Sequence, residues 1–482
     1  MRFGIRATGL AAFSLRMLSL FTGMLFLMML TRRLGPEEFA AYQLLRTGAT
    51  FAAIFGDSIN FWATRCVARN KLTWYTFPGL SLLFSPISFI IIYLASSFVY
   101  GWDLETLILV FVFSLVLLIR GGILGSIYAL EPINIVKGGV AYEIMRVLMT
   151  YIFVVEMKQG VPGVFLSLTI AFVVEIAVAS IKSLPTATVI DVHLAKETVK
   201  NLWMPLITRI STIIALLDVY VVSYALGSIL LSGYYRILFT LITILSYTSA
   251  LGMALYPSLI KEEAGKEEIR QVWKSAVVMA APLCFGLSIC MSHLLFLLNP
   301  KYVWLAPFGS ISAIAGFLYA LNILSDRLLL GIEKVDVERP IIKGYLSTRL
   351  KIYLLQNVTY IAILYMIFKG FKLNEFYGLL IWLTMYMLAN AIGFGVKAYI
   401  LREKGEWPLK VGDLKFIVVS SIVGGIVLYF FSTWLRPSVQ AVVQALNLLV
   451  LAAVGGGVYF SILLALDREV RGWLLSIKRK FF

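Results

Sequence analysis

Apolar runs of about 20 residues recur from one end of this chain to the other, and runs of that length read as helices that cross a bilayer. Of its 482 residues, 60% are hydrophobic and 14% charged, where a soluble domain would be about a quarter charged. Fourteen spans are expected, at 8–31, 39–63, 77–100, 104–128, 138–156, 161–184, 201–225, 228–257, 274–297, 303–331, 350–368, 376–399, 415–435 and 440–466. The expected fold is all-α, a polytopic membrane protein of about 14 transmembrane helices. No small-residue cleavage site follows the first span, so it reads as retained rather than as a signal peptide.

The formal charge of +16 would fit nucleic acid, but its placement argues against that partner. With the N-terminus in the cytoplasm, the inner segments hold 28 of the 42 Lys and Arg and the outer loops hold 7. The remaining seven are arginines inside spans, and no lysine is read among them. By the positive-inside rule both termini are cytoplasmic, in a plasma (inner) membrane protein. The basic loops 259–274, 332–351 and 402–415 then read as topology determinants with affinity for anionic lipid. The tail 467–482 mixes Trp473, Leu474, Ile477 and Phe481 with Arg and Lys. It reads as an amphipathic helix on the inner leaflet.

The chain repeats itself. Leu34-Gly35 is followed by Tyr42, and Leu226-Gly227 by Tyr234 at the same spacing. Arg16 and Arg209 lie at matching depths in spans one and seven, as do Arg46 and Arg236 in spans two and eight. Arg120 and Arg327 both fall in the inner third of spans four and ten. Pro86 and Pro282 interrupt spans three and nine, where kinks are expected. Two parallel six-helix repeats follow, a form in which transporters bind substrate near the midplane. The expected organisation is a lobe at 1–184, a cytoplasmic linker at 185–200, a second lobe at 201–401, two additional helices at 402–466 and the tail.

Charges inside a bilayer are costly and usually face a polar cavity. Arg16, Arg46, Arg209 and Arg236 lie about eight residues into their spans, some 12 Å from the hydrocarbon edge at 1.5 Å per residue. That is too deep for snorkelling alone. For Arg327, nearer its end, snorkelling and a buried role both stay open. The acids inside spans are Asp57, Glu143, Glu175, Asp218 and Asp326. Glu143 and Arg146, three apart, read as a structural pair. Seven positive against five negative leaves a surplus suited to an anion, and Arg grips phosphate through paired donors. Two layers are expected, an outer one of Arg46, Arg236 and Asp218 and an inner one of Arg16, Arg209, Arg120 and Asp57. Asp218 and Asp57 are read as charge partners or ion-coupling groups. Cys66, Cys284 and Cys290 show no metal or redox spacing, no zinc motif is present, and no phosphate-binding glycine loop occurs. No cofactor is expected.

The segment LTRRLGPEEFAAYQLL resembles the signature of the Wzx-type polysaccharide flippases. So do Asp218 in LLDVYVV, the following LG, GYY at 233–235, LYP at 255–257 and the run LLNPKYVWLAPFGSISAIAGFLYALN at 297–322. These flippases belong to the multidrug/oligosaccharidyl-lipid/polysaccharide superfamily, with the lipid II flippases as relatives. The resemblance covers residues 5–335 by motif and the rest by topology. It implies transport of polyprenyl-diphosphate-linked oligosaccharides across the plasma membrane, with glycosyltransferases of the same pathway as partners. In the lipid II branch, arginines on the first, second and eighth spans hold the diphosphate, which by span gives Arg16, Arg46 and Arg236 here. The two extra helices there form a lipid-tail groove, which would suit spans thirteen and fourteen.

Three other classes fit the sequence less well. A multidrug exporter of the same superfamily would want an acidic cavity for cations. A glycan polymerase or ligase would carry a large catalytic outer loop, and the outer loops here are short. A structural membrane protein would have no use for seven buried arginines. The reading is a transporter rather than an enzyme.

Overall fold

The computed structural model describes residues 5–98, 104–181, 183–184, 189–249, 265–332, 345–409 and 411–472. Among them the chain is all helix, without strands. The helices are α1 (Ile5–Arg33), α2 (Pro36–Ala52), α3 (Ile54–Arg69), α4 (Thr76–Leu82), α5 (Ser85–Ser96), α6 (Leu104–Leu130), α7 (Pro132–Thr150), α8 (Gly160–Ser180), α9 (Val192–Lys200) and α10 (Trp203–Leu216). There follow α11 (Asp218–Leu226), α12 (Leu230–Ser246), α13 (Lys266–Ile289), α14 (Met291–Leu298), α15 (Gly309–Ile332), α16 (Tyr345–Gly370), α17 (Glu375–Glu403), α18 (Val411–Trp434) and α19 (Ala441–Leu466).

Each expected span has a helix or a broken pair of helices. Among the described residues ten helices are long and apolar enough to cross a membrane, and the pair α4–α5, bent by 42°, makes an eleventh. The protein is a multi-pass membrane protein. The helices α1, α2–α3 and α10–α11 carry Arg16, Arg46, Asp57, Arg209 and Asp218.

Of the two prolines, Pro86 stands at a break between helices and Pro282 lies within one. The bend in span three lies just before Pro86, at the first turn of α5, where a missing N–H costs nothing. Pro282 lies inside α13, which continues to Ile289. The interruption in span nine falls at Cys290, eight residues later. The two LG motifs also differ in backbone. Gly35 is an extended N-cap whose N–H donates to Glu38 Oε2 at 2.9 Å. Gly227 is a left-handed C-cap with φ of 65°, a conformation that favours glycine.

Contacts group the chain into two units, residues 1–236 with 357–373 and residues 237–356 with 374–482. In the first unit, α3 lies against α6 at near backbone contact. A Cβ on Gly121 would stand 2.2 Å from the Gly56 carbonyl oxygen, and one on Gly125 2.7 Å from that of Asn60. Small residues allow such approach, which is how membrane helices gain packing without a hydrophobic drive.

In the second unit, α13 packs on α18 and α19 through Val277, Val278, Ile417, Tyr459 and Leu463. The Tyr459 hydroxyl donates to the Val278 carbonyl at 2.9 Å. At one end of this group Lys274 meets Asp467 at 2.8 Å and Glu469 at 2.7 Å, while Arg270 meets Asp413 at 2.6 Å. The basic loop 259–274 therefore does more than set topology, because its last residues tie together three helix ends. Of the tail, residues 473–482 lie outside the described residues, Trp473, Leu474, Ile477 and Phe481 among them.

Two buried lysines correct the contrast drawn between arginine and lysine. Lys274 and Lys397 lie at the inner ends of their expected spans, yet both are buried in helices that cross the membrane. Spacing alone gave no sign of this, because their partners come from other helices.

Candidate functional site

Rotation of α2 decides what Arg46 can reach. One face of the helix is fixed by close contacts. A Cβ on Gly233 would stand 2.7 Å from Ala40 Cβ, and one on Gly48 2.6 Å from Ala95 Cβ. The Tyr220 hydroxyl donates to the Leu44 carbonyl at 2.5 Å. Opposite that face, Arg46 and Thr50 are exposed, one turn apart.

The same line continues along α3, where Asp57 is exposed and Asn60 and Thr64 are half-buried; Arg65, also exposed, lies to the side of it. Eleven residues separate Arg46 from Asp57, about 16 Å along a helix axis. The Arg65 guanidinium lies over the Phe61 ring, 3.9 Å from its centroid. An exposed face toward lipid looks different. On α5 it consists of Ile87, Phe89, Ile90, Tyr93 and Leu94. A polar exposed stripe on a transmembrane helix faces water, because unsolvated charge in hydrocarbon is too costly.

Several expected cations are neutralised by acids. Arg120 pairs with Glu175 in a fork, Nε to Oε2 at 2.7 Å and Nη2 to Oε1 at 2.9 Å. Arg146 and Glu143 pair at 2.5 Å as expected, and the Thr22 hydroxyl also donates to Glu143. Arg236 is 8% exposed, with Nη2 4.0 Å from Asp218 Oδ1. Asp218 further accepts from the Val219 N–H at 2.8 Å and the Tyr360 hydroxyl at 3.1 Å. In the second unit Arg327 donates to the Ser249 carbonyl, so it has a partner inside the protein.

What remains accessible is a short set. Arg46 and Arg209 are exposed, Arg209 lying on α10, which packs on α3 through Leu202 and Leu206. Of the acids expected inside spans, Asp57 is exposed and Glu143, Glu175, Asp218 and Asp326 are buried. Arg16 belongs to α1, and its side chain lies outside the described residues. Of the outer layer, Asp218 and Arg236 stand together, and Arg46 is exposed. Of the inner layer, Arg120 is engaged by Glu175, while Arg209 and Asp57 are open. Arg65 was missed because it falls just past the expected end of span two.

The arrangement offers separated, solvent-reached guanidinium groups along an otherwise apolar unit. Such groups can bind an anion bidentately. No cluster of His, Cys, Asp or Glu among the described residues could hold a metal ion.

No protein-family model and no curated protein matches the sequence. Solved structures do. The lipid II flippase MurJ in an inward closed conformation is similar at 15% identity over 95% of this chain and 99% of that one, with a TM-score of 0.63. A multidrug resistance MATE family transporter of the MOP superfamily, inward-facing, aligns at 15% identity over 80% and 95%, with a TM-score of 0.57. A MOP superfamily transporter from Pyrococcus furiosus, described as having a binding pocket of reversed polarity, aligns at 14% identity over 82% and 94%, with a TM-score of 0.54. Likeness at this level of identity is a likeness of fold. The chain has the fold of these superfamily transporters.

Proposed function

We propose that this protein flips polyprenyl-diphosphate-linked oligosaccharides across the plasma membrane for surface polysaccharide or glycan assembly. The observation that carries the reading is the polar stripe Arg46–Thr50–Asp57 on α2–α3, exposed where a lipid-facing helix would be apolar. A diphosphate crossing the bilayer needs cationic sites at more than one depth, since an isolated buried ion costs tens of kcal/mol. Arg46 and Arg209 are the accessible contacts. Arg236, with Asp218 as charge partner, joins Arg46 in the principal clamp when substrate binds. Arg16 and Arg120 serve the inner layer, and the open carboxylate Asp57 is placed for ion coupling. Two lobes, at 1–184 and 201–401, alternate access, and both termini are cytoplasmic.

The test is complementation of a flippase-deficient strain, with protein level and melting temperature measured alongside. Each charge-assisted hydrogen bond contributes about 1.5–3 kcal/mol, so Arg46→Ala and Arg209→Ala should each lower transport about tenfold or more at normal abundance. Arg→Lys should rescue only in part, because a point charge replaces a fork. Full activity of an Arg46→Ala, Arg236→Ala double variant at normal abundance would rule the clamp out. Efflux of cationic drugs, unchanged by these substitutions, would favour multidrug export instead.

A further inference from the structure

Tyr142 of α7 is half-buried, and its ring is held by its neighbours. It stacks on Phe172 of α8, with centroids 4.5 Å apart and planes 23° from parallel. The Arg146 guanidinium, one turn along α7, lies 5.3 Å from its centroid. That guanidinium is fixed in turn by Glu143 and donates to the Thr22 hydroxyl at 3.0 Å. Arg120, locked in its fork with Glu175, lies 5.0 Å from the Phe172 centroid. One turn before Tyr142, a Cβ on Gly138 would stand 2.8 Å from the Glu175 carbonyl oxygen, so α7 and α8 are closely packed here.

A row of aromatic rings leads from this stack to α2. The Phe113 centroid is 5.9 Å from that of Phe172 and 5.5 Å from that of Phe165. Tyr42, one turn before Arg46, lies 5.7 Å from Phe165. Arg46 stands within electrostatic reach of Tyr42 and Tyr142, and Arg120 within that of Tyr142 and Asp57. Helices α2, α6, α7 and α8 of the first unit thus bring two guanidinium groups and a phenol into one neighbourhood. Arg120 is balanced by Glu175, whereas Arg46 makes no ion pair among the described residues.

The two phenols differ. The Tyr42 hydroxyl is buried. The Tyr142 hydroxyl is accessible, and among the described residues it makes no hydrogen bond. Holding the ring still while the donor stays open lowers the entropy lost when a ligand takes the bond. Beside an unbalanced cation the field favours an anion, and the O–H is a donor for one of its oxygens. A diphosphate offers more acceptor oxygens than one guanidinium fork can engage.

We propose that Tyr142 is a substrate-contact residue, its hydroxyl donating to a phosphate oxygen of the diphosphate that Arg46 holds. Phe172 and Arg146 are positioning residues that keep the ring in place. This assignment rests on the reading of the substrate as a diphosphate-linked glycan, and it adds a neutral donor to a set otherwise made of guanidinium groups.

The experiment measures binding of inorganic diphosphate to the purified full-length protein by titration calorimetry, with the ligand-free melting temperature alongside. Tyr142→Phe keeps the ring and its stack, so its melting temperature should be unchanged. Its Kd for diphosphate should rise about tenfold, as expected for one hydrogen bond to a charged group. Equal affinity in the two proteins overturns the proposal, and so does an unsubstituted protein that binds no diphosphate. Phe172→Leu keeps the hydroxyl and loosens its ring, so it should weaken binding by less than Tyr142→Phe does. An equal or larger loss would make the ring, and not its hydroxyl, the feature that matters, and overturns the proposal. In a flippase-deficient strain Tyr142→Phe should also lower transport at normal abundance. Binding that depends on Tyr142, without complementation by the unsubstituted protein, keeps this assignment and removes the transport reading. Complementation that needs Arg46 but not the Tyr142 hydroxyl does the reverse.

Discussion

The guanidinium of Arg120 lies fork to fork on the carboxylate of Glu175, two bonds of 2.7 and 2.9 Å joining α6 to α8. Glu175 is buried, whereas Arg120 keeps about a third of its side chain exposed at 32%. Removing the acid leaves a cation among apolar helices. Glu175→Ala should destabilise by about 3 kcal/mol, the lower end for a broken buried pair because Arg120 is partly solvated. A double-mutant cycle with Arg120→Ala, read by thermal unfolding, should show strong coupling. Additive losses would mean the pair is not a unit.

Close approach of α3 and α6 makes a steric prediction. Gly121→Val places carbon where the Gly56 carbonyl oxygen stands, 2.2 Å from an ideal Cβ. Backbone must then move, and overpacking costs about 1–3 kcal/mol or more. Membrane-inserted protein should fall several-fold by immunoblot. Gly79→Ala is the control, since a Cβ at Gly79 meets nothing within 4 Å, and its level should match the unsubstituted protein.

Asp218 is held on three sides, by the Val219 N–H, the Tyr360 hydroxyl and Arg236. Tyr360→Phe should cost about 1 kcal/mol, a single hydrogen bond. Asp218→Asn, which removes the charge facing buried Arg236, should cost about 3 kcal/mol. Chemical unfolding of the two variants would check the order; a larger loss for Tyr360→Phe would reverse the assignment of Asp218 as charge partner.

The Lys274–Asp467–Glu469 cluster predicts sensitivity to acid. Burial alone raises the Asp467 carboxyl, but Lys274 and the backbone N–H groups of Val470 and Glu469 outweigh it and hold it below its usual range. A depressed carboxylate contributes stability above its unfolded pKa and loses it as pH falls through the folded value. Melting temperature should therefore drop on acidification below the usual carboxylate range. Asp467→Asn should melt lower at neutral pH, and less of its stability should depend on pH in that window.

The run of membrane-crossing helices could be read directly, because hydrocarbon thickness sets a run length and hydropathy is a property of each stretch by itself. The Glu143–Arg146 pair was legible for the same reason: three residues on one helix are neighbours by geometry alone. Arg120 and Glu175 stand 55 residues apart, so the fork between them depends on how α6 and α8 are turned toward each other. Lys397 reads as the inner end of a span until α15 and α16 bring Asn322, Asp326 and Tyr353 around it. A proline signals a lost hydrogen bond but not where a helix ends: α13 runs through Pro282 and ends before Cys290.

By itself, then, the sequence determined that the chain is a bundle of membrane helices with more intramembrane arginine than acid, since both follow from composition along one dimension. Which of those arginines are accessible was decided by tertiary structure. Ala40, Gly48, Gly233 and Tyr220 fix the rotation of α2 and leave Arg46 exposed, while Asp218 and Glu175 hold Arg236 and Arg120. Helix rotation and interhelical pairing depend on contacts between distant segments, and no local pattern carries them.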